Sequence, residues 1–320
     1  QYIIDEIGEI EPYTLRVSYI DIELDTEFEF PDLAHPNQVI TCISVLDSFT
    51  NKNTTLFLKS EQHKQPIEPT DDIKVFDAEE DLLNYFVFLV HNIDPDVISG
   101  WNVIKFDFIY LIRRMAMLNV EYRKLSPMMS VRVDDDREEV SIKGRVLMDG
   151  MANYMKFRGL SNQGRAESYS LEYTSQSVLG MGKIEHTNDF HDLWINTPEK
   201  LIAYNKRDNE LVKNINEKLK ILDFFNKIRC KACSQLVDSY HASVLIDGLL
   251  LRRVHNSIVL PSRETAEGKM FKGAFVIPPQ SGIFKNVIAL DVKGMYPNII
   301  KTFNIGFETL NKDGNIKLSN

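Results

Sequence analysis

Three groups of side chains in this sequence could do chemistry. Asp21-Ile22-Glu23 places two carboxylates two positions apart. On an extended strand such neighbours share a face, so Asp21 and Glu23 project together while Ile22 turns into the core. Two adjacent carboxylates repel unless a cation lies between them. The pair could therefore hold a divalent metal, although a half-solvated strand with polar alternation writes the same letters. Asn102-Val-Ile-Lys-Phe-Asp107 leads into an amphipathic stretch, where Asp107 reads either as a helix N-cap or as a further carboxylate for a site. Tyr204-Asn-Lys-Arg-Asp208 lies within a helical pattern. Its ends, at i and i+4, fall on one helix face, so a phenol and a carboxylate can serve one place. Cys230 and Cys233 form a CxxC. With no second Cys or His pair nearby to complete a tetrahedral site, and a helical flanking pattern, metal or redox work there is disfavoured.

The elements that must position these groups can be read around them. LRVSYIDIEL (15–24), QVITCISVLD (38–47) and NTTLFLK (53–59) alternate with β-branched residues and read as strands of an antiparallel meander, the last after a turn at Thr50–Lys52. SEQHKQPIEPTDD reads as a loop. Asp77, with Glu80 three residues on, reads as the N-cap of a helix whose apolar positions 82, 83, 86, 89 and 90 follow, and Asp94-Pro95 stops it. DVISGW is a further strand, and Phe106 to Leu118 a second amphipathic helix. Residues 130–149 read as a hairpin around an acidic tip, Asp134–Glu139. Helices follow over 170–180 and 198–220, the latter opening with Thr197 as N-cap and Pro198 at N1. Helical residues continue to about 255, and a Pro/Gly-rich connection leads into a strand from Phe284 to Val292. A meander followed by strand–helix alternation points to an α/β domain with a mixed sheet. The change in character places a domain boundary near residue 225, giving domains 1–225 and 226–320.

Length and composition agree. A chain of 320 residues exceeds one ordinary core. With 43% hydrophobic and 26% charged residues it is not a disordered chain. No apolar run approaches the roughly 18 residues a membrane span needs, and the acidic N-terminal stretch is unlike an export signal. Three cysteines, an odd number, suggest a reducing compartment. A net charge of −9 argues against a protein that coats nucleic acid, but not against an enzyme that cuts it with clustered carboxylates and metals. The chain does not open on Met and ends in a polar stretch, which suggests a piece of a longer protein.

Order sharpens these signals. D-x-E on a first strand, N-x3-F-D after a later strand and Y-x3-D on a late helix resemble the three exonuclease motifs of the family B DNA polymerases. GWNVIKFDFIYL, VSIKGRVLMD and YSLEYTSQSVLGMGK are similar to the segments of that family around its second motif, after its hairpin and before its third. Downstream, Asp291-Val-Lys-Gly-Met-Tyr-Pro-Asn-Ile-Ile300 resembles polymerase motif A, and Phe271-Lys-Gly-Ala274 the Y-x-G-G/A element before it. Gly294 and Met295 stand where Ser-Leu is usual, Asn298 replaces the second Ser, and Phe271 replaces Tyr. Gly294-Met295 is closer to archaeal branches of the family than to viral ones. The resemblance covers about residues 15 to 310.

The resemblance implies an RNase H-like 3′–5′ exonuclease domain of the DEDD type over 1–225, with residues 1–14 left from a preceding domain. It implies an incomplete polymerase palm in 226–320. Two Mg²⁺ or Mn²⁺ ions would be held by Asp21, Glu23 and Asp208, and by Asp21 with Asp107; such hard oxygen ligands do not favour Zn²⁺. Tyr204 would orient the attacking water, Lys183 would stabilise phosphate charge, and Asn102 and Phe106 would contact a frayed 3′ end. Asp291 would bind polymerase metals, and Tyr296 would lie under an incoming sugar. The partners implied are DNA, the remaining polymerase portion or a second chain carrying it, and a sliding clamp in the whole protein. No membrane is implied. The location implied is intracellular, in the cytoplasm at the nucleoid. The fingers motif and the D-T-D motif do not occur in these residues, so polymerisation by this chain alone is not expected. The alternative is a non-catalytic or split-subunit scaffold. A free-standing RNA exonuclease is disfavoured, because residues 271–300 would serve it no purpose.

Overall fold

The computed structural model describes residues 11–27, 31–63, 67–161, 163–185, 189–254, 257–260, 273–306 and 309. In chain order it begins with β1 (Val17–Leu24), β2 (Ile40–Asp47), β3 (Asn53–Leu58), β4 (Ile73–Phe76), α1 (Glu79–Ile93), β5 (Val97–Gly100) and α2 (Asp107–Met117). Next come a 3-10 turn at Tyr122–Leu125, β6 (Val131–Asp134), β7 (Glu139–Ile142), β8 (Val146–Asp149) and α3 (Gly150–Leu160). α4 (Leu171–Leu179), α5 (Phe190–Asn196), α6 (Pro198–Leu219) and α7 (Ile221–Ala232) follow, then a 3-10 turn at Val237–Tyr240, α8 (Ala242–Val254) and α9 (Met295–Thr302).

Six strands make one mixed sheet in the order β4-β3-β2-β1-β5-β8. The expected meander is its middle: β1 pairs antiparallel with β2, and β2 with β3. β5 then adds parallel to β1, and β8 parallel to β5. The hairpin β6–β7 is a separate two-stranded sheet. β1 is central and buried on both faces, and its alternation decides the site. Ile20, Ile22 and Leu24 join a core with Leu82 and Phe86 of α1 and Phe108 and Ile109 of α2. Val17 and Tyr19 join a core with Leu211, Val212 and Ile215 of α6. Asp21 and Glu23 continue the Val17–Tyr19 row, so the strand period carries them under α6.

Two glycines let the strands close up. A Cβ on Gly100 would stand 2.4 Å from the Ile20 carbonyl oxygen, and one on Gly150 would stand 2.8 Å from the Gly100 carbonyl oxygen. The β1–β5 pairing and the start of α3 therefore need a residue without a side chain at each place. On the α1 side, Arg114 forks onto Glu79 at 2.9 and 2.5 Å, and Glu79 also accepts from the Ile40 amide at 2.9 Å. A buried charge pair this well satisfied holds α2, α1 and β2 together.

Several expectations are corrected. Asp77 is not the cap of α1: Ala78 is at the N-cap position with no side-chain bond, and Asp77 pairs instead with Lys59 at 3.1 Å. Thr197 does stand before Pro198, but its side chain makes no cap hydrogen bond. The short β4 lies just beyond the stretch read as loop and pairs parallel with β3. Residues 284–292 form no strand, and among the described residues none pairs with them; a bend with Asn286 at φ 56° interrupts the stretch. Apart from these corrections, the chain divides into two compact units at Pro261/Ser262, while the reading from composition set a boundary near 225. Residue 225 falls inside α7, which packs on α3, and Phe225 belongs to the core beneath α6. The second unit, taken by itself, carries α9.

Candidate exonuclease site

One oxygen from each of Asp21, Glu23 and Asp208 can be chosen so that all lie within 4.8 Å of one another. Asp21 and Glu23 come from β1. Asp208 comes down from α6, the helix laid across β1 and β2. Glu23 is 7% exposed and Asp208 5%, while Asp21 is half-buried. Asp107, the first residue of α2, accepts from the Ile22 amide at 3.3 Å, so it reaches β1 between the two carboxylates of the D-x-E. The fold thus brings together four acids from a strand and two helix positions.

The charges are poorly matched. Burial, followed by repulsion from Glu23, Asp208 and Asp107, pushes the Asp21 carboxyl well above its ordinary range. Burial and Asp208 do the same to Glu23. Burial pushes Asp107 up to about 7, against the pull of backbone amides that donate to it. Lys183 is the cation that faces them. Its Nζ lies 2.7 Å from Asp208 Oδ2 and 4.6 Å from the centre of the Tyr204 ring. Burial would lower the Lys183 pKa, but Asp208 and Tyr204 outweigh it and raise it. Tyr204 is held edge-on to Phe190, ring centres 5.6 Å apart. Burial, reinforced by Asp208, pushes its phenol up to about 12, so it remains a hydroxyl that can donate. A buried cluster of carboxylates facing one ammonium fits a hard divalent cation: the donors are all oxygens, and their mutual repulsion is what such an ion removes.

Asn102 and Phe106 lie on the turn between β5 and α2 that leads to Asp107. Asn102 takes a left-handed backbone, φ 63°, in the turn after β5, and its carbonyl accepts from the Phe106 amide at 3.2 Å. Phe106 is half-buried and stacks on Tyr110 at 6.3 Å. Asp149 was not singled out by spacing. Its carboxylate caps α3 through the Ala152 amide at 2.9 Å and also takes the Ile104 amide at 3.4 Å. It thereby fixes the turn that presents Asn102, Phe106 and Asp107. Asn205 and Cys42 were also missed. Asp291 and Tyr296 lie in the second unit, Asp291 exposed before α9 and Tyr296 in its first turn. Phe271 lies outside the described residues. Cys230 and Cys233 are free thiols.

The comparisons with known proteins decide the family. Residues 4–174 match the family model described as DNA polymerase family B, exonuclease domain, and residues 233–319 match DNA polymerase family B. The chain belongs to the family B DNA polymerases. The mixed sheet with β1 at its centre is accordingly an RNase H-like exonuclease fold. Similar curated proteins include a DNA-directed DNA polymerase of Escherichia phage RB69, 25% identical over 92% of this chain and 36% of the relative. DNA polymerase 1 of Sulfurisphaera ohwakuensis is 25% identical over 93% of this chain and 35% of its own length. DNA polymerase II of Escherichia coli is 30% identical over 66% of this chain and 28% of its own. This family B chain thus spans about a third of the length of its relatives. Identities this even across phage, archaeal and bacterial relatives do not select the archaeal branch read from Gly294-Met295. Among the described residues, no helix is long and apolar enough to cross a membrane.

Proposed function

We propose that this chain carries 3′–5′ proofreading exonuclease activity on single-stranded or frayed DNA ends, as part of a DNA-directed DNA polymerase. The observation that carries the reading is the convergence of Asp21, Glu23 and Asp208 within 4.8 Å, with Asp107 against the same strand. Asp21, Glu23 and Asp208 would hold one Mg²⁺ or Mn²⁺, and Asp21 with Asp107 a second. When bound, the cations neutralise charge at the scissile phosphate and favour ionisation of the attacking water.

The chain's own residues do the rest. The Tyr204 hydroxyl orients the water, one helical turn before Asp208. Water oxygen adds to phosphorus and the bond to the 3′ oxygen breaks, leaving a shortened strand with a 3′ hydroxyl and a nucleoside 5′-monophosphate. Lys183 pairs with Asp208 and faces the phosphate. Phe106 and Asn102, on the turn after β5, contact the terminal bases, Phe106 by stacking. A mismatched end frays more readily than a paired one, so it reaches the site more often.

Asp291 and Tyr296 would serve the polymerase site of the whole protein, at the metals and the incoming sugar. The fingers and D-T-D motifs are not among these residues, so polymerisation is assigned to the remaining polymerase portion or a second chain together with this one. DNA is the partner, a sliding clamp a further one in the whole protein, and the cytoplasm at the nucleoid the place of work.

The test is Mg²⁺- or Mn²⁺-dependent digestion of a 5′-labelled single-stranded DNA, beside Asp21→Ala. A shortening ladder that the variant abolishes supports the reading. A folded wild type that binds DNA and digests nothing replaces it with the scaffold reading.

A further inference from the structure

Asn205 follows Tyr204 and is fully buried. Its Nδ2 donates to Asp21 Oδ2 at 2.6 Å, and its Oδ1 accepts from the Cys42 thiol at 3.4 Å. Its backbone carbonyl accepts from Ser44 Oγ at 3.0 Å, and Ser44 in turn accepts from Asn209 Nδ2 at 2.7 Å. Cys42 and Ser44 are the β2 residues directly opposite Glu23 and Asp21. In an antiparallel pair, opposite residues put their side chains on the same face, a few ångströms apart. Thus β2 supplies the row of small polar groups beside the carboxylates, and α6 closes over both.

A side-chain amide can turn either way, and its partners decide which. An ionised carboxylate, the form that binds a cation, can only accept, while a thiol can donate. Asp21 and Cys42 therefore impose one orientation, with the NH₂ on Asp21 and the carbonyl oxygen on Cys42. Turned round, the amide would set its carbonyl oxygen against a carboxylate, two acceptors with no proton between them.

We propose that Asn205 and Cys42 are a positioning pair that fixes the rotation of the Asp21 carboxylate, engaging one oxygen so that the other is presented toward Glu23 and Asp208 for a divalent cation. The inference rests on the exonuclease reading above and deepens it. The residues that hold a ligand in place are commonly worth 10–100-fold in metal affinity or activity.

The experiment is Mn²⁺ titration of the folded chain by calorimetry, with digestion kinetics on single-stranded DNA alongside. Asn205→Ala should weaken Mn²⁺ binding by about 10–100-fold and lower kcat, with KM for DNA little changed. Cys42→Ala should lose a smaller part of the affinity, because the amide can then turn. Cys42→Ser, a better donor at the same place, should restore what Cys42→Ala loses. Asn205→Ala with wild-type circular dichroism and wild-type Mn²⁺ affinity overturns the proposal. Should Asn205→Ala not fold, the Cys42 pair decides: Ala and Ser variants that both match the wild type overturn it equally. A wild type that binds no Mn²⁺ and digests nothing removes the exonuclease reading itself, which is a different result from intact wild-type function with insensitive variants.

Discussion

Lys183 Nζ lies 2.7 Å from Asp208 Oδ2 on a helix turn shared with Tyr204. This ammonium faces a cluster whose carboxylates repel one another, so it substitutes in part for a metal ion. Lys183→Met keeps length and apolar volume but removes the charge. Without metal, the variant should lose about 1–3 kcal/mol of stability, since Asp208 is left buried without that partner. Addition of Mn²⁺ should recover part of the loss. Urea unfolding in EDTA and in Mn²⁺ measures both; equal stability of variant and wild type in EDTA would show that the pair contributes nothing.

The cluster also predicts an unusual pH dependence. Burial raises Asp107 from 3.8 to about 7, and Asp21 and Glu23 shift in the same direction. A carboxyl whose folded pKa exceeds its unfolded one binds its proton more tightly in the folded state. Its contribution is full below the unfolded value and is lost as pH rises through the folded one. Metal-free protein should therefore become less stable between about pH 4 and pH 7, by up to about 4 kcal/mol for Asp107. Mn²⁺ binds the ionised form, so its stabilising effect should grow over the same range. His63, whose pKa burial lowers, pulls the other way. Unfolding midpoints in EDTA that stay level or rise from about pH 5 to about pH 8 would contradict the assignment.

Asp107→Asn separates that effect from the others. The amide keeps the shape and removes a buried charge, so the variant should be more stable than the wild type at alkaline pH without metal, by about 1–3 kcal/mol. Its stability profile should be flatter with pH. Digestion should fall by at least about 100-fold, because a ligand costs no less than the partners that orient it. A gain in stability with loss of activity is the trade expected where like charges are held together for function.

What was legible in the sequence follows from local periods. Asp21 with Glu23, and Tyr204 with Asp208, needed only the two-residue and four-residue repeats of a strand and a helix. Ordered motifs placed Asp107 and Lys183 with them. What stayed hidden depends on register between strands or on packing. Cys42 and Ser44 look like ordinary strand residues until β2 pairs with β1 in the register that sets them opposite Glu23 and Asp21. Asn205, in a helix interior between Tyr204 and Asp208, gave a signal, a polar residue on the face turned to the sheet, but no partner. Asp149 ends a strand and looks like a cap, which it is; its hold on Ile104 exists only because β5 and β8 lie side by side. The strand read at 284–292 failed for the reverse reason: an apolar run makes no ladder without a neighbouring strand.

The close approach at Gly100 gives a test of the scaffold beneath the site. A Cβ there would lie 2.4 Å from the Ile20 carbonyl oxygen and 3.0 Å from Val103 Cβ. The oxygen belongs to the backbone of the central strand and cannot yield without moving Asp21, the next residue. Gly100→Ala should therefore cost about 1–3 kcal/mol by overpacking, and it should slow digestion as well, since β1 carries two of the acids. Gly159, exposed near the end of α3, has nothing within 4 Å of its added Cβ. There the same substitution removes only backbone freedom from the unfolded chain and should be neutral or stabilising by about 0.4–1 kcal/mol, with digestion unchanged. Urea midpoints and digestion rates of the two variants, measured together, distinguish a local clash from a general effect of adding a methyl group. A Gly100→Ala protein as stable and active as Gly159→Ala would mean that β1 and β5 have room the packing denies them.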